Sequence, residues 1–174
     1  MATHYCSKDD VSAFLQVSNF TGDTTPNTDA VEAFINMAEE RIDQLTDHAW
    51  HTSRAKAVTE ERGRIQRVTT NSVNDRGRIQ LRHYPILDMD NGTDKLHIWD
   101  GSNYVEYIAG KTGDDIITNI TGKDYWIDKE RGTIYLNSYN QFNLLSDAPS
   151  GVTAYVTYRY ATATTPPDVK QATI

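Results

Sequence analysis

The chain is poor in the residues that carry most site chemistry. It has one cysteine in 174 residues, Cys6. A single thiol allows no internal disulfide and argues against a thiolate zinc cluster; Cys6 reads as a small buried hydrophobe. No apolar run approaches the roughly 18 residues that a membrane-spanning helix needs. The N-terminal stretch Met-Ala-Thr-His-Tyr-Cys lacks a basic segment followed by an apolar one, so no signal peptide is expected. Also missing are a Gly-x-Ser-x-Gly elbow, a phosphate-cradling glycine-rich loop and a His-Glu-x-x-His pair. No enzyme activity and no cofactor are expected.

What is abundant is acid, unevenly spread. The net charge is −7. Residues 51 to 82 hold eight basic and three acidic residues, a local +5, so the remainder sums to −12. An acidic body argues against wrapping nucleic acid, because such binding neutralises phosphates with Lys and Arg. It leaves room for DNA to pass nearby without adhering. The chain has 17 Asp against 7 Glu, 10 Arg against 7 Lys, and 21 Thr. This usage fits a protein made in a salty cytoplasm, where high net charge keeps chains soluble.

Four segments follow in order, and together they predict an α+β fold. Residues 1–50 read as a helical pair. Ser7 caps a short helix over 7–17, with Asp10 completing a variant capping box and Val11, Phe14 and Leu15 at helical spacing. A loop, Ser18 to Asn27, leads to a long helix capped by Asn27 or Thr28. Val31, Phe34, Ile35, Ala38, Ile42, Leu45 and Ala49 make its apolar stripe, and this stripe must meet a partner. Residues 51–78 read as a basic extended arm or loop. It contains a pentapeptide that occurs twice, Arg62-Gly63-Arg64-Ile65-Gln66 and Arg76-Gly77-Arg78-Ile79-Gln80.

Residues 79–160 read as an antiparallel β region of about six strands, a small sheet or barrel. The expected strands are Ile79 to Ile86, Lys95 to Trp99, Tyr104 to Ile108, Ile116 to Ile120, Tyr125 to Ile127, Thr133 to Leu136 and a final one starting after Gly151. In the last, Val152, Ala154, Val156, Tyr158 and Tyr160 alternate with Thr153, Tyr155, Thr157 and Arg159. Residues 161–174 read as a C-terminal docking segment. Thr165 is placed to cap a helix start, Pro166 fits its first turn, and Asp168 suits the positive end.

Several acidic and histidine groupings have the side-chain types of metal ligands. Asp47, His48 and His51 are close in sequence but lack a further ligand. Asp88, Asp90 and Asp94 surround Gly92, which is out of place for a calcium loop, so a turn is expected. Asp114-Asp115 reads as an exposed turn. Glu39, Asp43 and Asp47 form a row at four-residue spacing without an accompanying Glu-x-x-His; a solvated or intersubunit face is expected. Asn19, Asn91 and Asn119 precede x-Thr and, without a secretory signal, read as chance matches.

Short motifs in a consistent order carry a resemblance. Val31-Glu32-Ala33-Phe34-Ile35 through Ile42-Asp43-Gln44-Leu45-Thr46, then Trp50, is one. Ile79-Gln80-Leu81-Arg82-His83-Tyr84-Pro85-Ile86 is a second. Tyr125-Trp126-Ile127-Asp128 with Gly132-Thr133-Ile134-Tyr135-Leu136 is a third. Val156-Thr157-Tyr158-Arg159-Tyr160 followed by Pro166-Pro167-Asp168-Val169-Lys170-Gln171-Ala172 is the fullest. In this order they resemble the head–tail connector, or adaptor, proteins of tailed viruses. The chain departs from that family in three ways. Ala161 stands where a Gly usually follows the Tyr-x-Tyr strand, the β insertion is large, and the chain stops at Ile174 where the family's helix runs on for several turns.

The resemblance implies a virion protein of the neck, assembled in the host cytoplasm. It would form a homo-oligomeric ring, commonly twelve-fold, between the portal protein and a stopper or tail-completion protein. Genome DNA would pass through its centre without sequence-specific binding, and no membrane is involved. Closed rings need heterologous interfaces. Val31, Phe34, Ile35, Ile42, Glu39 and Asp43 are candidates for one face, and Arg62, Arg64 and Arg67 for an arm pairing with an acidic neighbour. Pro166, Pro167, Asp168, Val169 and Lys170 are candidates for portal docking. Two rival readings are another tail or neck component, such as a tail-completion protein or a β-rich baseplate or glycan-binding fibre module using exposed Trp99, Tyr104 and Trp126, and a small hydrolase or metal enzyme.

Overall fold

Local capping chemistry starts the helices where the sequence places them. In the computed structural model, which describes residues 3–68, 76–89, 92–114, 122–137 and 151–174, Ser7 and Asp10 cap α1 (Lys8–Leu15) reciprocally. The Asp10 backbone N–H donates to Ser7 Oγ at 3.2 Å, and the Ser7 N–H to Asp10 Oδ2 at 2.9 Å. Asn27 caps α2 (Thr28–Thr46), accepting from the Ala30 N–H at 2.9 Å. Asp47 closes α2 in the left-handed region at φ 48°, a conformation that Asp tolerates better than most side chains.

The third helix, α3 (Pro167–Thr173), has Pro166 at its cap position and no side-chain cap. Thr165, expected to cap it, instead donates its hydroxyl to the Trp50 carbonyl at 3.0 Å. Pro167 occupies a first-turn position where a missing N–H leaves nothing unsatisfied.

Two units result, and the chain is α+β. One comprises Met1–Lys56 with Ala161–Ile174; the other comprises Ala57–Tyr160. In the first, α2 packs against both α1 and α3. Lys170 of α3 pairs with Asp10 of α1 at 2.7 Å. That bond, followed by the Ser7 N–H, holds the Asp10 carboxyl down at about 2. The Thr162 N–H donates to the Ala49 carbonyl at 2.9 Å. The apolar core of this unit is small: Cys6, Val31 and Ile35, flanked by the partly buried Val11 and Phe20.

The second unit holds two sheets. One has four strands, ordered β1 (Lys56–Gly63), β9 (Ala154–Tyr160), β4 (Lys95–Trp99) and β5 (Tyr104–Glu106). The other has five, ordered β2 (Gln66–Val68), β3 (Arg76–Gln80), β8 (Thr133–Leu136), β7 (Tyr125–Asp128) and β6 (Gly113–Asp114). All pairings with a defined register are antiparallel except β6 with β7. The alternation read at the C-terminal strand holds from Ala154 on: Ala154, Val156, Tyr158 and Tyr160 are buried, while Tyr155, Thr157 and Arg159 are half-exposed; Val152 and Thr153 precede the strand, and Thr153, read on the outer face, is buried. Residues of both sheets share one core, among them Ile79, Leu96, Ile98, Ile134, Leu136, Val156 and Tyr158.

The expected strand from Ile79 to Ile86 does not run straight through. β3 pairs with β8 only as far as Gln80↔Thr133. Beyond it the chain crosses to the other sheet, where Ile86 forms a single bridge to Tyr160 and the Leu87 N–H donates to the Arg159 carbonyl at 2.9 Å. Pro85 has no N–H to give a ladder, so the crossing falls at a residue that could not extend the strand. The two Arg-Gly-Arg-Ile-Gln copies also fare differently. The second is β3 in full, whereas the first spans the end of β1 and the start of β2. Gln66 and Arg78 from the two copies are register partners, and the Arg78 guanidinium donates to Gln66 Oε1 at 2.7 Å. The expected strand Ile116–Ile120 and most of the 137–150 loop lie outside the described residues.

Gly77 shows how tightly the repeat is packed. A Cβ there would sit 2.8 Å from Ile65 Cγ2 and 3.2 Å from Leu136 Cδ1. Ile65 and Leu136 are both buried and the Ile methyl is rotationally stiff. Gly77→Ala should therefore destabilise the β unit by ~1–3 kcal/mol, the usual cost of overpacking, measured by denaturant unfolding. An unchanged midpoint would show that the core relaxes around the added methyl.

Candidate functional site

Helix α2 is oriented against its apolar pattern. Its buried residues are Val31, Ile35, Glu39 and Asp43, one row at four-residue steps. At roughly 100° per residue, Phe34, Met37, Arg41 and Leu45 fall in an arc of about 80° on another side. Phe34, Met37 and Leu45 are 63%, 65% and 68% exposed, while Glu39 has no exposure at all. The helix thus carries carboxylates inward and large hydrophobes outward. This corrects the expectation that the Glu39, Asp43 and Asp47 row forms a solvated or intersubunit face. Only Asp47 is exposed; Glu39 and Asp43 are spent inside their own subunit.

A buried carboxylate needs partners for nearly all its lone pairs. Glu39 Oε1 accepts the backbone N–H groups of His4 and Tyr5, both at 2.7 Å. Its other oxygen accepts from Arg54 Nη1 at 3.3 Å. Asp43 Oδ2 accepts from Arg54 Nε at 2.8 Å, and Asp43 Oδ1 accepts a hydrogen bond from the Tyr5 hydroxyl. Tyr5 Oη in turn accepts the Trp50 N–H at 2.9 Å. The Arg54 guanidinium lies 5.6 Å from the Tyr5 ring centroid, a cation–π distance. Lys56 Nζ donates to the Asp43 carbonyl at 2.7 Å and pairs with Asp47 at 3.2 Å.

The electrostatics follow from this packing. Burial, then the hydrogen bond to Asp43, pushes the Tyr5 hydroxyl up to about 12. For Arg54 burial acts to lower the pKa, but the hydrogen bond and charge of Asp43, with the charge of Glu39, raise it overall. Burial also pushes the Cys6 thiol up to about 11, so it stays protonated at neutral pH and is a poor nucleophile. A second polar knot lies in the β unit. The Tyr158 hydroxyl donates to Glu61 Oε2 at 2.5 Å and accepts the His83 N–H at 3.2 Å, while burial, then Glu61, raises its pKa.

Among the described residues the exposed large hydrophobes are Phe14, Leu15, Val17, Phe34, Met37, Leu45, Tyr84 and Ile174, and all but Tyr84 belong to the helical unit. Phe14 and Leu15, read at helical spacing with Val11, are 59% and 54% exposed. Of the other interface candidates, Val31 and Ile35 are interior, Ile42 is half-buried, and Arg62, Arg64 and Arg67 are exposed. In the docking segment Pro167 and Asp168 are exposed, Pro166 and Val169 are half-buried, and Lys170 is held by Asp10. Sequence reasoning missed Met37, Tyr5 and Arg54. Met37 was legible as a residue three after Phe34; Arg54 was legible only as a cation beyond the helix end.

The remaining candidates are dispersed. His48 hydrogen-bonds Thr162 at 2.8 Å, and His51 accepts the Ser53 N–H at 3.2 Å and stacks on His4. Asp88 pairs with Lys129, buried Asp94 with Arg159 at 2.9 Å, and Asp114 with Lys123 at 3.7 Å; Asp90 and Asp115 lie outside the described residues. Among the described residues no three His, Cys, Asp or Glu side chains converge as a metal site would. Trp126, which only the rival glycan-binding reading needed exposed, is fully buried, with the Arg76 guanidinium 5.3 Å from its ring centroid.

Two outcomes follow from the buried network. Arg54→Met leaves two carboxylates unpaired in the interior and should cost ~3–5 kcal/mol, read as loss of helical circular dichroism at lower denaturant. Adding Glu39→Gln and Asp43→Asn should recover part of that loss; a triple variant weaker than Arg54→Met alone would show that the network is not charge-balanced as described. Tyr5→Phe should destabilise by ~1–3 kcal/mol at neutral pH. Tyr5 is raised from 10.0 to about 12, so its contribution is full below pH 10 and lost as pH rises through about 12. The native chain should lose stability across that window and the Tyr5→Phe variant less so; equal alkaline slopes would contradict the assignment. Compared with protein-family models, curated proteins and solved structures, the chain returned no match.

Proposed function

We propose that this chain is a structural adaptor subunit of a tailed-virus neck, which closes into a ring between portal and tail and continues the DNA channel. The observation that carries the reading is the inverted α2 helix. Phe34, Met37 and Leu45 face out while the inward row, after Val31 and Ile35, ends in carboxylates, and the apolar cluster of the helical unit is small. Phe34, Met37 and Leu45 share one arc of the helix, and clustered exposed apolar side chains mark interaction sites.

The occupant of the α2 face is a second copy of the chain. Phe34, Met37 and Leu45 are accompanied on α2 by exposed Asp29 and Glu40, with Asp47 just beyond its end. Exposed Arg64 and Arg67 lie in the basic stretch of the other unit. A head-to-tail contact, helical face of one copy against basic strip of the next, joins two different surfaces, which is what ring closure requires. Acid and base then set register and steer association, while the apolar contact supplies affinity. The net charge of −7 favours a channel that DNA does not stick to. Portal and stopper proteins are the partners above and below.

Phe34→Asp with Met37→Asp should leave the helical dichroism intact and convert the assembled species to monomer in sedimentation velocity. Charge reversal at Arg64 and Arg67 should weaken assembly in a salt-dependent way. Negative-stain microscopy with candidate portal protein then tests the neck assignment. A coaxial ring on the portal is expected; a chain that stays monomeric and ignores the portal would overturn the proposal.

A further inference from the structure

The exposed face of the four-stranded sheet carries a cleft of about 470 Å³ lined by Thr59, Glu60, Arg62, His97, Tyr104 and Tyr155. That volume falls in the range of small-molecule sites. Its floor follows from strand register. His97 of β4 lies beside Tyr155 of β9 on one side and Glu106 of β5 on the other, and Trp99 lies beside Tyr104. With a side-chain period of two, these residues share the face opposite the buried Leu96, Ile98, Ala154 and Val156. The result is an aromatic row: Trp99 and Tyr104 at 5.1 Å between centroids, then Tyr104 and Tyr155 at 4.9 Å and 67°.

Fixed polar groups edge this row. The Tyr104 hydroxyl donates to the Val152 carbonyl at 2.9 Å, which holds its ring in place. Glu106 accepts the Leu96 and Ile108 N–H groups through Oε1, and its Oε2 lies 3.4 Å from His97 Nε2. On the β1 side the backbone departs from strand geometry. Glu60 sits in the left-handed region at φ 51°, and its N–H donates to Thr157 Oγ1 at 3.1 Å. A bulky side chain in that conformation is rare and marks a built feature. It lets consecutive β1 residues, Thr59 and Glu60, both line the cleft.

The charge of the lining selects the ligand. A phosphate or sulfate would meet one Arg62 but also Glu60. A cation would meet Arg62. A neutral ligand with apolar faces and hydrogen-bonding edges conflicts with neither. It can lay a C–H face on the tyrosine rings while its hydroxyls, each a donor and an acceptor, use Arg62, Glu60 and His97. We infer that the cleft over Tyr104 and Tyr155, flanked by Glu60 and Arg62, binds a neutral saccharide. This goes beyond the ring-forming role and rests on different residues. It also relocates the aromatic surface expected from Trp99, Tyr104 and Trp126, since Trp126 is interior.

The test titrates maltotetraose, cellotetraose and tetra-N-acetylchitotetraose into the full chain and follows intrinsic fluorescence and the His97 ring resonances. At least one should bind in the millimolar range or tighter, with shifts at His97. Tyr155→Ala and Arg62→Ala, both at exposed or half-exposed positions, should each weaken binding at least tenfold with unchanged circular dichroism. Phe34→Asp with Met37→Asp should leave sugar binding unaffected, which separates this inference from the assembly reading. Lack of binding by all three sugars, equal binding by the Tyr155 and Arg62 variants, or a preference for a heparin-derived tetrasaccharide would each overturn it.

Discussion

Two carboxylates buried on one helix constrain the helical unit. Glu39 and Asp43 cannot sit in a protein interior without compensation, because desolvating an ion costs several kcal/mol. The compensation is assembled from distant pieces of sequence. Two backbone N–H groups come from the N-terminal segment, a hydroxyl from Tyr5 and a forked cation from Arg54. A planar guanidinium suits this task because it can donate to both acids at once. Once the network is made, the rotation of α2 about its axis is set, and the N-terminal segment and the turn after α2 are pinned with it.

That rotation decides which residues are left to act. With the acids inward, Phe34, Met37 and Leu45 are displayed to solvent. A conventional amphipathic helix would bury such residues. The polar interior supplies orientation, and the apolar exterior is available for another molecule. A large exposed apolar face is a liability in an isolated monomer and an asset in a subunit of an assembly. In the β unit the division is the usual one, with one shared apolar core between two sheets and a polar, aromatic outer face. There the departure is local: one left-handed residue, Glu60, shapes the wall of a cleft.

Much of the fold was legible along the chain. The capping box at Ser7 and Asp10, the Asn27 cap, the hairpin from Lys95 and the alternation through Tyr160 all depend on neighbours a few residues away. The α+β character follows from them. Less legible were events that need a distant partner. The strand from Ile79 was broken by a change of sheet, and Thr165 gave its hydroxyl to Trp50 instead of to a helix end. The candidate surfaces were read in part: Phe34 and Leu45 lay in the apolar stripe, but Met37 was passed over, and Glu39 and Asp43 were assigned to the wrong side.

By itself the sequence determined the helices and most of the strands from Lys95 to Tyr160 that the structure describes, because capping and hydrophobic period act over a few residues; it did not determine β1 and β2, which lie in the stretch 51–78 read as an extended arm or loop and lack a clear apolar period. It also determined that the chain is acidic with a basic middle, since charge needs only counting. Only the tertiary structure decided which face of α2 is inside. Four-residue spacing places Val31, Ile35, Glu39 and Asp43 in one row, yet spacing does not say whether that row meets water or protein. That depended on Arg54 and Tyr5 arriving beside it with donors in the right places. The same holds for the cleft: Arg62, His97 and Tyr155 are far apart in sequence, and strand pairing alone brought them together.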